Sequence, residues 1–231
     1  MADQLEELPL LPLSTVLFPY GQVRLHIFEE RHQSMVRDCF DYDRPFGIVM
    51  IRNGDESDEN PEPYLVGTAV RIDNVHTFAD GRLDLRVQGE RRFRIRKLER
   101  TTPYWVGKVE PVVEEDPENV PRVFALASRA REDFVEFMKG VIGGADLNIQ
   151  VSFPSDATAL SFMIASYLPM EEMTKQRMLE TTDTGERLAE LLPILQDRVR
   201  SLDTAYLEII ESKPMVWRHH PSELKDWILP N

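Results

Sequence analysis

Apolar residues recur along this chain with two different periods, and the change of period divides it. Up to about residue 113 the spacing is mainly that of strands, and beyond 117 it is that of helices. Residues 8–28 read LPLLPLSTVLFPYGQVRLHIF, with prolines at 9, 12 and 19. Proline has no amide hydrogen to give a ladder, so 8–13 and 15–18 are expected as edge or bent strand segments. Pro19-Tyr20-Gly21 reads as a turn, with glycine free to take positive φ. Val23, Leu25 and Ile27 then alternate with Arg24 and His26 as a strand does. Phe28, His32, Met35, Val36, Cys39 and Phe40 follow at steps of three and four, which predicts an amphipathic helix over 29–41.

Residues 46–51 form an almost continuous apolar run, expected as a strand buried on both faces. NGDESDENPEP at 53–63 is an acidic loop. A long strand or bent pair over 64–78 follows, with Gly67 marking a bulge or a close backbone approach. Asp80-Gly81 is a strong hairpin signal. Beyond it, Leu83, Leu85 and Val87 oppose Arg82, Asp84 and Arg86. After Gly89, Phe93 and Ile95 oppose Arg92, Arg94 and Arg96. A further strand over 104–113 puts Trp105, Gly107 and Val109 on one face. Several antiparallel strands with short turns and one early helix predict a small closed or half-closed barrel.

Glu114-Glu115-Asp116-Pro117 is a charged, proline-marked break. A helix follows from Pro121 to about 142, stopped by Gly143-Gly144. The next starts at Pro154-Ser155, with Ser155 as its cap, and ends before Pro169. A short helix over 171–181 is expected to turn Met173, Met178 and Leu179 inward. The last begins at Asp183 or Thr184. It carries Leu188, Leu192, Leu195, Val199, Leu202, Tyr206 and Ile209 at four–three spacing, interrupted by Pro193. That seam either packs on the neighbouring helices or zips a weak dimer, so the expected state is monomer or weak dimer. The layout is therefore a strand-built subdomain over 1–116, a helical bundle over 117–211 and a tail over 212–231. Trp217 and Trp227 are expected to dock that tail on the body.

Composition narrows the chemistry. A formal charge of −13 disfavours long-range attraction to nucleic acid or anionic membranes. A single cysteine, Cys39, rules out an intrachain disulfide and a multi-cysteine zinc site, and its place in the apolar stripe reads as a small buried hydrophobe. The acidic N-terminus does not read as a signal peptide, and no apolar run reaches the ~20 residues of a bilayer span. A cytoplasmic protein is expected. There is no nucleophile–base pair, no clustered metal-ligand spacing and no G-x-x-x-x-G-K-[ST] phosphate loop, so neither catalysis nor a cofactor is expected.

The ordered blocks carry a resemblance. LPLLPLSTVLFP, residues 23–28 and FEERHQSMV are similar to the start of the N-terminal domain of Lon proteases, and most similar to short stand-alone bacterial proteins containing only this domain. Pro45-Phe46-Gly47-Ile48-Val49, Val66-Gly67-Thr68-Ala69, Asp80-Gly81-Arg82-Leu83 and Gly89-Glu90-Arg91-Arg92-Phe93-Arg94-Ile95 resemble its strand blocks in order. Residues 159–168, Lys175-Gln176-Arg177-Met178-Leu179-Glu180 and Glu186-Arg187-Leu188 resemble its helices. The likeness spans about 8–210. Tyr20 departs from it, standing where the family commonly runs proline into glycine. The resemblance implies an α+β fold: a PUA-like, mostly antiparallel β-barrel with one helix, then an α-helical bundle. It also implies a non-catalytic role in holding unfolded or partner polypeptides, with a protease or chaperone as the further partner.

Two surfaces are candidates for that role. Arg82, Arg86, Arg92, Arg94 and Arg96 lie opposite the apolar residues. If the two alternating runs pair as a hairpin, their guanidiniums form one cationic face. That face either docks carboxylate-bearing segments or is a solvated face paired with Asp55, Glu56, Asp58 and Glu59. It also carries the alternative reading, RNA binding by a PUA-like barrel, which the charge of −13 disfavours. The second candidate is an exposed apolar surface gathered from Phe18, Tyr20, Tyr104 and Trp105.

Overall fold

In the computed structural model, residues 5–56, 58, 60–99, 103–142 and 153–201 are described. They contain seven strands, mostly antiparallel, and five helices, an α+β fold. In order these are β1 (Glu6–Leu13), β2 (Gln22–Ile27), α1 (Glu30–Asp41), β3 (Phe46–Asn53), β4 (Glu62–Pro63), β5 (Val66–Thr77), β6 (Leu83–Glu99) and β7 (Trp105–Pro111). The helices α2 (Val120–Ile142), α3 (Ala157–Tyr167), α4 (Glu172–Glu180) and α5 (Thr184–Arg200) follow. The chain divides into two compact units: Met1–Val113 with Pro169–Thr182, and Glu114–Leu168 with Asp183–Asn231. Sequence periodicity grouped 169–182 with the rear helices, whereas its spatial neighbours are the strands. The tail over 212–231 and the seam positions Leu202, Tyr206 and Ile209 lie outside the described residues.

In the strand-built unit the pairing path runs β1–β7–β6–β5–β3 and returns, because β3 also pairs with β1. β1 changes partner along its length. Glu6 to Leu10 run antiparallel to β7, and Leu10 to Leu13 run parallel to β3. Pro9 faces Val106 alone and Pro12 faces Val49 alone, so each proline sits where only one flank is paired and its absent N–H costs no ladder bond. The strand is flanked on both sides overall, yet its prolines obey the edge rule residue by residue. Inside lie Leu8, Leu10, Val49, Ala69, Phe93, Ile95, Trp105 and Val109, all buried. Gly67 is the predicted close approach: a Cβ there would stand 2.4 Å from the Ile48 carbonyl oxygen and 2.7 Å from Val49 Cγ1. Asp80-Gly81 turns the chain between β5 and β6, with Gly81 at φ 90°.

The early helix forms where its period predicts, burying Met35, Val36 and Cys39 along with Gln33. The flanking aromatics do not join that stripe, since Phe28 is 66% and Phe40 56% exposed. Tyr20, and not Gly21, takes the positive φ in the Pro19 turn, at 65°.

The helical unit packs α2, α3 and α5 through Ala127, Ala130, Phe134, Phe137, Leu160, Ile164, Leu188, Leu191 and Leu195. The cap of α3 is Asp156 and not Ser155, its carboxylate accepting from Ala159 N at 2.7 Å. Asp183 caps α5, and the helix runs on through Pro193. Arg187 is wholly buried here. It donates to Glu114 Oε2 (2.9 Å) and Ser161 Oγ (2.8 Å), and its guanidinium lies 4.0 Å from the centre of the Phe162 ring. Burial lowers its pKa and Glu114 opposes that shift, so the buried charge is held by a partner and not left orphaned.

Gly67→Ala is expected to lower stability by about 2–3 kcal/mol, because the atom it meets is a backbone carbonyl that no side-chain rotation can move. A chemical-denaturation midpoint measured for both proteins checks this, and Gly81→Ala, whose Cβ would make only ordinary contacts with Gln33 and Arg37 but which lies at positive φ, is expected to cost only about 1 kcal/mol.

Candidate functional site

The five arginines do not assemble into one face. Four of them lie on a single 17-residue strand, β6, because Gly89 is no turn, and Arg82 stands just before its first residue. Gly89 instead lets another segment come close: its N donates to Gly21 O and its carbonyl accepts from Tyr20 N, both at 2.8 Å. At Glu90 the register with β5 slips by one, Ala69 pairing with Arg91 and Val70 with Gly89. A bulge shifts the alternation, so Arg92 leaves the face of Arg86; it still lies opposite Phe93 and Ile95, and it is 4% exposed because it reaches the Leu179 and Thr181 carbonyls of the α4 segment. Arg82 is paired with Asp80 at 2.7 Å, and Arg96 with Glu110 at 2.5 Å. Arg94 is half-buried between Val66 and Glu110 in the ladder. Arg86 remains exposed, opposite Arg24 on β2 and Asn74 on β5. The acidic loop meets a different arginine, Arg31, whose Nη2 donates to the Glu56 and Asp58 carbonyls. Glu59 lies outside the described residues.

The aromatic set is likewise divided. Phe18 and Trp105 are 1% and 8% exposed and belong to the core. Tyr104 donates its hydroxyl to Asp38 Oδ2 at 2.7 Å, and burial with that carboxylate pushes its pKa up to about 12. Only Tyr20 is openly exposed, at 49%.

Arg92 has a structural task instead. Its Nη1 donates to the Leu179 and Thr181 carbonyls, 2.7 Å each, at the C-terminal end of α4. Those carbonyls have no partner within the helix, and the end of the helix dipole favours a cation there. The other end is tied by Glu172, which accepts from Thr15 Oγ1 (3.0 Å) and Val16 N (2.9 Å). Between them Gln176 donates to Val66 O at 3.1 Å. Nine residues are too few for a stable isolated helix, so α4 exists because the strand unit holds it. Met178 and Leu179 are buried as expected, while Met173 is 58% exposed, its sulfur accepting from the Tyr64 hydroxyl at 3.0 Å.

The surface the sequence reading missed is the outer face of the ribbon formed by β2, β6 and β5. Arg24, Arg86 and Asn74 make one transverse row, and His26, Asp84 and His76 the next. His26 Nδ1 lies 2.6 Å from Asp84 Oδ1. Phe28 and Phe78 close the row, their ring centroids 6.5 and 6.1 Å from that of His26, and the Arg82 guanidinium lies 5.7 Å from the Phe78 ring. The signal was present: once Asp80-Gly81 fixes the β5–β6 register, positions 84 and 86 share a face with 74 and 76. Beneath it Val23, Leu25, Ile27, Leu83, Leu85 and Val87 are buried. β2 pairs with β6 on one side and, among the described residues, with no strand on the other.

Reactive chemistry is scarce. No cluster of three or more His, Cys, Asp or Glu suited to a metal occurs among the described residues, and no helix there is long and apolar enough to cross a membrane. Burial pushes the Cys39 thiol up to about 11.

The comparisons agree with this architecture. The family described as the ATP-dependent protease La (LON) substrate-binding domain matches residues 7–197. Lon protease 2 of Herpetosiphon aurantiacus is 29% identical over 85% of this chain and 24% of that protein. Lon protease 2 of Bdellovibrio bacteriovorus is also 29% identical, over 86% and 25%. This chain thus spans about a quarter of the length of these relatives. Among solved structures, a Lon N-terminal domain protein from Xanthomonas campestris superposes with a TM-score of 0.60 at 29% identity, covering 81% of this chain and 98% of that one. The N-terminal domain of a Mycobacterium avium complex Lon protease gives 0.65 at 20% identity, over 83% and 99%, a likeness of fold.

Two outcomes are expected. Arg92→Ala loses about 2–4 kcal/mol, and Arg92→Lys recovers only part, since one ammonium is a poor substitute for a guanidinium spanning two carbonyls. Hydrogen exchange checks the cause: the 172–181 amides should lose protection before those of β3. Cys39, read by a chromogenic disulfide reagent at neutral pH, should react only after denaturant is added.

Proposed function

This chain belongs to the substrate-binding domain family of the ATP-dependent protease La (Lon), and on that premise we propose that it is a non-catalytic module for holding polypeptides. Its role is that of an adaptor or regulator in proteolysis or protein quality control. Unfolded segments and partner proteins are what it holds, and a protease or chaperone is what it serves. The family match over 7–197 is the observation that carries the reading. Exposed apolar groups in the strand-built unit support it: Leu65, Met173, and Phe28 next to a strand with one partner among the described residues. Such features bind other chains by apolar burial and by strand addition.

The strand-built unit is read as a PUA-like barrel. Supporting this, β1 pairs with β7 on one flank and β3 on the other, which joins the ends of the pairing path.

The test is direct binding. Fluorescein-labelled, reduced and carboxymethylated α-lactalbumin is titrated with the protein and followed by anisotropy, with native lactalbumin as control. Saturable binding of the unfolded form in the micromolar range is expected, together with ATP and casein turnover no higher than in a mock preparation. No anisotropy change at about 100 μM protein, a level that would already detect weak affinity, would overturn the reading. So would protein-dependent ATP hydrolysis or casein cleavage.

A further inference from the structure

Independently of what the protein holds, we propose that residues 213–220 of this chain cover an apolar face on the first turns of α2 in the same molecule. The segment reads Lys213-Pro214-Met215-Val216-Trp217-Arg218-His219-His220 and lies outside the described residues. It and α2 belong to the same compact unit.

The face overhangs the bundle's own seam. Ala127, Ala130, Phe134, Phe137 and Met138 form the buried stripe of α2. Val120 lies seven residues before Ala127 and Phe124 three, steps that return to one side of a helix, so both continue the stripe. Yet Val120 is 62% and Phe124 73% exposed. Val123, on the turn between them, is half-buried because α5 begins beside it: a Cβ on Gly185 would stand 3.1 Å from Val123 Cγ2. The turn carrying Val120 therefore extends past the start of its partner helix.

Charge identifies the occupant. Asp116 and Glu118 are exposed just before α2. Asp156 and Asp183 cap α3 and α5 at the same end, where the Thr158 and Thr184 hydroxyls are 2.7 Å apart. Arg122 is two residues from both Val120 and Phe124 and so lies on the other side of the helix. An apolar run flanked by cations fits such a surface. Residues 213–220 have that make-up, with Met215, Val216 and Trp217 between Lys213 and Arg218, on a chain whose formal charge is −13. The tail's other apolar run, Trp227-Ile228-Leu229, adjoins Asp226 and has no cation on its far side. A second copy's α2 overhang fits poorly, because it brings one acidic run against another.

Length permits the return. Val123 lies beside Gly185, and Asp133 accepts from Gln196 Nε2 at 2.9 Å, so α2 and α5 run parallel. α5 ends at Arg200, with Ser201 as its cap, at the end of the bundle away from Val120. The way back is about 30 Å at the rise of a helix. The chain from Ser201 to Trp217 spans up to about 53 Å when extended.

Crosslinking of the full chain tests the placement. His219→Cys is paired either with Ala125→Cys, beside Phe124, or with Lys139→Cys, further along α2 and nearer the root of the tail. A short bismaleimide is added, and intact mass separates links within a chain from links between chains. Cys39 is buried and does not compete. The 125–219 link should form within one chain at least about tenfold faster than the 139–219 link. Phe124→Ser, which alters an exposed side chain, should abolish that advantage with an unchanged melting temperature, and Asp116→Lys with Glu118→Lys should reduce it. Equal rates for the two pairs, a faster 139–219 link, or an advantage that survives Phe124→Ser would overturn the proposal. A 125–219 link found between chains would do the same, in favour of a second copy's tail.

Discussion

Leu10 is the residue on which the strand-built unit turns, because it is paired with Trp105 on one flank and Gly47 on the other. At that point β1 passes from antiparallel pairing with β7 to parallel pairing with β3, and the ladder joins its own start. The geometry forces small residues where strands cross closely. A Cβ on Gly47 would stand 2.8 Å from Leu10 Cδ2, and one on Gly67 would strike the backbone of β3. Joining the path also settles which strand is left over. The second half of β6 pairs with β5 and β7, while its first half lies between β5 and β2. β2 is thereby the strand with one neighbour, and the ribbon it edges follows from how the path is completed.

The α4 segment shows a different kind of dependence. Its buried face is narrow, essentially Met178 and Leu179 with the stems of Lys175 and Gln176. Apolar burial on that scale does not offset the ordering of nine residues. Polar anchors at the two ends and the middle supply the difference: Glu172 to the 15–16 backbone and hydroxyl, Gln176 to β5, Arg92 to the last carbonyls. These pairs lie between 87 and 157 residues apart in sequence. No local pattern announces them, which is why periodicity grouped the helix with the other helices.

What the sequence made legible follows the same division. Periods of two and of three to four located β2, α1, β3, β5, β7 and the rear helices, because each buries one face and the burial is written in alternate or stepped residues. The Asp80-Gly81 turn was legible because positive φ at Gly81 selects glycine. Arg92 does lie opposite Phe93 and Ile95, but alternation alone shows neither that α4 buries that face nor that the skipped ladder position at Glu90 separates it from the face of Arg86. Phe18 was misread as surface because a segment flanking a strand can bury as fully as the strand, and Trp105 because the face of β7 it shares with Val109 is the core face. The Arg24–Arg86 row needed register, which two strands so far apart in sequence do not state.

An exposed strand edge is a hazard, and charged side chains are the common protection against it. Arg24 and His26 are the exposed polar side chains on β2, the kind of residue that commonly protects such an edge. Protection by cations is selective, however. A cation at an edge disfavours a like charge placed beside it at short range. Long-range repulsion from a charge of −13 is screened within about 10 Å at ordinary salt, the distance inside which the guanidiniums act. A neutral polar edge would be indifferent to the sign of its ligand, and a buried edge would accept none.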